Sequence, residues 1–326
     1  MKKNLFIITF LAFTLAACGP KPLPTIANGR IPVRLPVGYI PNVQFAPLYV
    51  AIEKGFYRDA GLDVSLDYNM ETDSVALVGA DEIQFAIVSG EQVPLGRAQG
   101  LPVVYVLDWF QQYPVGVVSM ADKNIRTPAD LKGKKIGIPG LYGASYIGFK
   151  ALLNAGSINE NEVTLDSIGF TQTEALIDKL EDAVVIYIAN EPIKLRAEGF
   201  QVDVLKVSDY LPLVGNGLIT NQKTIDEHPE LVRAMVKATL AGIEYTIAHT
   251  EDAFQICKKY VENLAAADQN LQREVLAASI ELWKADQMGY SSMDAWENMN
   301  NLLVNMKLIK KPLEIASMFS NDFLPK

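Results

Sequence analysis

The chain has 326 residues, 49% of them apolar and 21% charged, a balance that permits one large or two medium globular domains and excludes a disordered or low-complexity chain. Its net charge of −9 argues against a nucleic-acid partner, because attraction to polyphosphate needs clustered Lys and Arg that the sequence nowhere shows. With only two cysteines and two histidines there is almost nothing from which to build a zinc site or a disulfide framework, and no metal or other cofactor is expected.

Lys2 and Lys3 precede an apolar run from Leu5 to Ala17, too short for the roughly 20 residues of a spanning helix but right for the h-region of a secretory signal. The run closes on Leu15-Ala16-Ala17-Cys18, which resembles a bacterial lipobox. Residues 1–17 therefore read as a signal peptide, Cys18 as an acylated anchor in the lipid bilayer, and residues 18–30, rich in proline, as a linker. The mature domain is expected on the extracytoplasmic side of the cell membrane. Cys257 then lacks a disulfide partner and reads as a buried inert thiol.

After the linker, Ile31, Val33, Leu35 and Val37 alternate as a strand should, and Phe45, Leu48, Tyr49, Ile52 and Phe56 recur at helical spacing. Strands over 62–68, 83–88 and 103–107, separated by helical stretches, complete a βαβαβαβ run. A second α/β series follows from Thr127, with strands over 135–138, 163–168, 183–188 and 202–207. Such alternation predicts mostly parallel sheets flanked by helices. From Asn221 the pattern turns helical, and this tail is expected to pack back on the first domain. The expected lobes are 31–118 plus 216–326 and 119–215.

In open parallel sheets, ligands sit outside the carboxyl ends of the strands, so the loops after each strand should line any cleft. Those loops carry Tyr39, Asn42 and Gln44; Glu71; Ser89 and Glu91; Trp109 and Tyr113; Tyr142 and Ser145; Asn190 and Glu191; and Asn216, with Tyr187 just ahead of its loop. None of the loops contains Lys or Arg, so an anion is disfavoured. A neutral or weakly cationic planar ligand, stacked on aromatics and hydrogen-bonded by amides and carboxylates, is expected instead. Glu71 reads as a helix cap or a solvated charge. Neither His228 nor His249 has a nucleophile or carboxylate partner in a recognisable catalytic pattern, and no enzyme activity is expected.

The stretch from Gly38-Tyr39-Ile40-Pro41-Asn42 through Glu53-Lys54-Gly55-Phe56-Tyr57, with Thr127 to Ile138, Asn190-Glu191-Pro192 and His228-Pro229-Glu230, resembles the ABC-transporter solute-binding proteins for thiamine pyrimidine precursors, sulfonates and nitrate. Val88-Ser89-Gly90-Glu91-Gln92, Leu107 to Pro114 and Gly140 to Tyr146 look most similar to the riboflavin-binding lipoprotein branch. The resemblance implies a two-lobed α/β fold of the periplasmic-binding-protein type II class, a monomer that closes on riboflavin or a related heteroaromatic ligand, and an ABC-type permease as partner. It also implies an alternative cargo, a formylaminopyrimidine, because Asn42 and Glu191 match positions where pyrimidine-binding relatives contact the ring. A related branch synthesises the pyrimidine with a cysteine-rich motif and an active-site histidine, and this sequence shows neither.

Overall fold

The first strand, β1 (Ile31–Val37), buries Val33, Leu35 and Val37, the alternation read from the sequence, and pairs parallel with β2 (Leu62–Tyr68) along its whole length. The computed structural model describes residues 29–38 and 40–325; the signal peptide, Cys18, most of the linker and Tyr39 lie outside the described residues. Three further strands continue in chain order: β3 (Ala86–Ser89), β4 (Val103–Asp108) and β5 (Val115–Met120). Then follow β6 (Lys135–Ile138), β7 (Thr164–Ser167), β8 (Ala183–Tyr187), β9 (Val202–Lys206) and β10 (Asn216–Asn221).

These strands form two five-stranded sheets, ordered β2-β1-β3-β10-β4 and β7-β6-β8-β5-β9. In each sheet one strand opposes the rest, and it is the strand that has just arrived from the other sheet: β10 against β3 and β4, β5 against β8 and β9. Parallel neighbours need a helical crossover within their own layer, whereas a strand entering from the neighbouring lobe is free of that constraint.

Neither β5 nor β10 was expected. Both are buried on nearly every residue, so burial on two faces removes the alternation that reveals a half-buried strand. Because β5 lies wholly in the second sheet, the chain crosses between lobes over 109–114 and 207–215, rather than near 118 on the outward pass.

The long helix Pro229–Ala248 packs on Ala46–Glu53 and sends Leu231, Val232, Met235, Val236 and Ile243 into the first-lobe core, where Cys257 is also buried. The tail does not stay on that lobe alone. In the helix Met293–Asn305, Ala295 and Trp296 pack with Val103 and Tyr105 of the first lobe, while Met299, Leu302 and Leu303 join Val115, Ile136 and Ile147 of the second. No helix among the described residues is long and apolar enough to cross a membrane.

The two crossing segments touch. A Cβ placed on Gly215 would stand 2.3 Å from the Phe110 carbonyl oxygen, a backbone atom that cannot swing aside. Gly215→Ala should therefore force the segments apart and lower stability by about 1–3 kcal/mol, as overpacking does; a melting temperature equal to that of the wild type would show that the crossing tolerates separation.

Candidate functional site

A cavity of about 220 Å³ lies between the lobes, with Asn42 on the first-lobe side and Phe170, Gln172, Glu174, Asn190, Glu191 and Lys194 among the residues facing it from the second. Asn42 opens the turn Val43–Phe45, its side-chain oxygen accepting the Gln44 N–H at 3.0 Å. Glu191 opens the helix Glu191–Ala197 directly after β8. Its carboxylate accepts the Tyr187 N–H at 3.1 Å and the Asn190 side-chain amide at 3.0 Å. Those donors favour the ionised form, yet burial outweighs them and pushes the group up to about 7.

Lys194 corrects the expectation of a cleft without cations. It lies in the helix beyond the loop, so a reading confined to loops could not find it. Its ammonium is paired with Glu174 at 3.2 Å, which leaves little free positive charge for an anionic ligand.

Deeper, at the floor where the lobes meet, the first lobe assembles buried acids. Glu71 was read as a cap or solvated charge; instead it folds over Gly38 and accepts both the Ser89 hydroxyl and the Ser89 N–H, the latter at 3.1 Å. A Cβ on Gly38 would lie 2.7 Å from the Glu71 side chain, so glycine makes room for that carboxyl. Burial raises Glu71 despite its two Ser89 bonds. Glu91 is fully buried; one oxygen accepts the Gln92 amide at 3.2 Å and the other has no partner. Burial first, then the neighbouring Glu71 charge, push it up to about 8. Asp108, closing β4, accepts the Tyr105 hydroxyl at 3.0 Å, and burial pushes it to about 8 as well. Sequence reasoning did not single out Asp108 as a buried acid, although its place at a strand's carboxyl end was the available signal.

The second lobe meets this floor with tyrosines. Tyr187 ends β8, and burial, followed by the Glu71 and Glu91 charges, raises its hydroxyl. Tyr113, in the outward crossing, donates to the Ala144 carbonyl at 2.9 Å and so fastens the crossing to the helix Gly143–Ala155.

The expected site residues thus fall into three groups. Asn42, Asn190 and Glu191 share the cavity, while Ser89, Glu91, Tyr113 and Tyr187 share the floor. Trp109 and Gln44 are turned into the first lobe. Trp109 is 1% exposed and packs against Phe45, Phe110 and Trp283, with ring centroids 6.1, 5.5 and 5.6 Å away. The Gln44 amide donates to Ser279 at 3.2 Å. Tyr142 is 62% exposed, and neither it nor the half-buried Ser145 reaches the cavity wall. His228 lies beside Glu230 and His249 against Tyr245; neither lines the cavity.

The family model described as NMT1/THI5 like matches residues 42–253. Riboflavin-binding protein RibY of Chloroflexus aurantiacus is 36% identical over 318 residues, covering 95% of this chain and 90% of its own. The formylaminopyrimidine-binding protein of Halalkalibacterium halodurans is 28% identical over 302 residues, 89% of each chain. Among solved structures, the periplasmic aliphatic sulphonate binding protein SsuA of Escherichia coli superposes with a TM-score of 0.72 at 14% identity, over 88% of this chain and 91% of that one. The two sheets flanked by helices, and the match running from the first lobe through the second, lead to one assignment: this chain belongs to the NMT1/THI5-like family and has the two-lobed α/β fold of periplasmic binding proteins.

Proposed function

We propose that this protein is the solute-binding component of an ABC-type importer, that it captures riboflavin outside the cytoplasm, and that Cys18 carries the lipid holding it near its permease. The observation that carries the reading is the character of the cleft: carboxyls, amides and tyrosines converge from facing lobes, and the lining lysine is already paired. A flat, uncharged ring system bearing hydroxyls matches such walls. The similarity to RibY points the same way. Binding without turnover fits a cleft from which His228, His249 and Cys257 are all absent. The helix Gln269–Trp283 rests on Glu191–Ala197, so cargo would enter by a parting of the lobes and stay by its better contacts with the closed form.

One observation favours the second reading, a formylaminopyrimidine. A cavity of about 220 Å³ is smaller than the roughly 300–1,000 Å³ usual for larger ligands and suits a single ring, flanked by Asn42 and Glu191. Titration of the purified mature protein, followed by quenching of riboflavin fluorescence and by chromatography of the recovered ligand, decides between these readings. Stoichiometric quenching with riboflavin recovered unchanged is expected. A thermal shift with the formylaminopyrimidine alone would install the second reading, and a response confined to taurine or nitrate would remove both.

A further inference from the structure

Two buried side-chain oxygens at the cleft floor have no hydrogen-bond partner: one carboxyl oxygen of Glu91 and the amide oxygen of Asn216. They belong to one small assembly. Ser89 and Asn216 face each other across the β3 and β10 ladder, and Ser89, its hydroxyl donated to Glu71, lies next to Glu91. Tyr187 reaches in from the second lobe beside Asn216, Glu71 and Glu91, and Glu191 of the cavity wall also acts on it. Tyr187 thus lies within reach both of the floor acids and of Glu191 in the cavity wall.

Unmet buried polar atoms are rare because each bears the full cost of its desolvation with nothing to offset it. Two of them, at a surface that opens when the lobes part, mark a place awaiting a partner. The charged state of Glu91 decides what that partner must be. It is faced by Glu71 from the helix Glu71–Gly79, by Tyr105 of β4, by Tyr113 of the crossing and by Tyr187 of β8, with Ser89 and Gln92 adjacent on its own segment. No lysine or arginine belongs to that set, and Glu71 repels a second negative charge. A carboxyl in such company keeps its proton at neutral pH.

We propose that Glu91, as the neutral acid, and Asn216 together form a subsite that reads a ligand group able both to accept and to donate a hydrogen bond, an alcohol or the C(=O)–NH edge of a ring imide. Glu91 donates its proton to that group's oxygen, and the Asn216 carbonyl accepts the group's own O–H or N–H. This rests on the riboflavin reading, since riboflavin carries both chemistries: ribityl hydroxyls and a pyrimidinedione edge. The subsite chooses by donor and acceptor pattern, whereas the cavity at Asn42 and Glu191 chooses by shape.

The test is the dissociation constant of riboflavin between pH 6 and 9.5 for the wild type, Glu91→Gln, Glu91→Met and Asn216→Leu, each first checked for folding by its melting transition. For the wild type, a flat affinity up to about pH 8 and a tenfold weakening per unit above it are expected, as the donor ionises. Glu91→Gln keeps a neutral donor and should flatten the profile. Glu91→Met and Asn216→Leu should each weaken binding by roughly 10-fold or more, the loss of one buried hydrogen bond. Lumiflavin, which lacks the ribityl chain, and N3-methylriboflavin, which lacks the imide N–H but keeps its carbonyls, show which group is read: if it is an alcohol, lumiflavin should be insensitive to both substitutions, and if it is the imide edge, N3-methylriboflavin should be insensitive to Asn216→Leu while still weakened by Glu91→Met. A flat wild-type profile, or Glu91→Met and Asn216→Leu binding as tightly as the wild type, would overturn the subsite. If riboflavin fails to bind at any pH, the functional reading falls instead. The neutral acid is then decided without ligand by infrared difference spectra of wild type against Glu91→Gln, where absence of a carboxylic-acid band at pH 7 overturns it.

Discussion

Acidifying the ligand-free protein from pH 8 to pH 6 should raise its melting temperature, the reverse of ordinary acid destabilisation. Glu91 and Asp108 are pushed up to about 8 and Glu191 to about 7, whereas the unfolded chain returns each to about 4. Between those limits the native state holds protons that the unfolded state has lost, so unfolding releases protons and stability falls as pH rises. The effect is on the order of 2 kcal/mol each for Glu91 and Asp108 and about 1 kcal/mol for Glu191 over this window. That corresponds to a rise of about 10 °C for a protein of this size. Glu162 and Glu251, held down to about 2 by their Lys132 and Arg273 partners, lose their contribution only well below pH 4.5 and leave the window untouched. Glu91→Gln should be more stable than the wild type at pH 8 and show a shallower slope. Calorimetry at pH 6, 7 and 8 checks both, and a melting temperature that falls on acidification would mean that these acids are ionised in the folded protein.

That prediction rests on residues whose position was legible and whose environment was not. The loops after β1, β3 and β8 could be named from the alternation of strand-like and helical stretches along the chain, and they deliver Asn42, Ser89, Glu91, Asn190 and Glu191 to the interlobe surface. The burial of Glu71 could not be read the same way. It depends on Gly38, which precedes it by more than thirty residues and leaves space for the carboxyl, and on Ser89, which supplies two donors from the neighbouring strand. A local signal reads a carboxylate at the start of a helix as a cap. Only tertiary packing turns it into a buried acid.

The crossing strands failed for a complementary reason. Val115-Gly116-Val117-Val118 is apolar on both faces because helices cover the second sheet on each side, so no period of two survives in the sequence. Lys194 escaped because a ligand cavity does not stop at the end of a loop. One helical turn brings a residue back to the face from which the helix began, and Lys194 follows Glu191 at that spacing.

Replacing Trp109 by alanine should cost more stability than any other single change in the cleft region, about 3–5 kcal/mol, with a fall in melting temperature on the order of 10 °C. The indole is buried to 1% exposure in an aromatic cluster with Phe45, Phe110 and Trp283, and Phe45 in turn meets Tyr68 edge on. An aromatic side chain in such a place removes roughly 150–250 Å² from water, and its loss leaves a void that flanking rings, locked by their own neighbours, cannot fill. The indole nitrogen has no hydrogen-bond partner, so Trp109→Phe gives up volume but no bond and should retain more than half of the lost stability. Affinity should respond as well, through position rather than contact. The backbone N–H groups of Trp109 and Phe110 both donate to the Asn216 carbonyl, at 3.2 and 2.9 Å, so the two crossing segments are pinned where Trp109 is wedged. Loosening that wedge frees the crossing and weakens the closed form on which tight binding depends. Melting curves and riboflavin titrations on the same two variants separate core from contact. A Trp109→Ala protein that melts like the wild type yet binds no riboflavin would place the indole against the ligand rather than in the core.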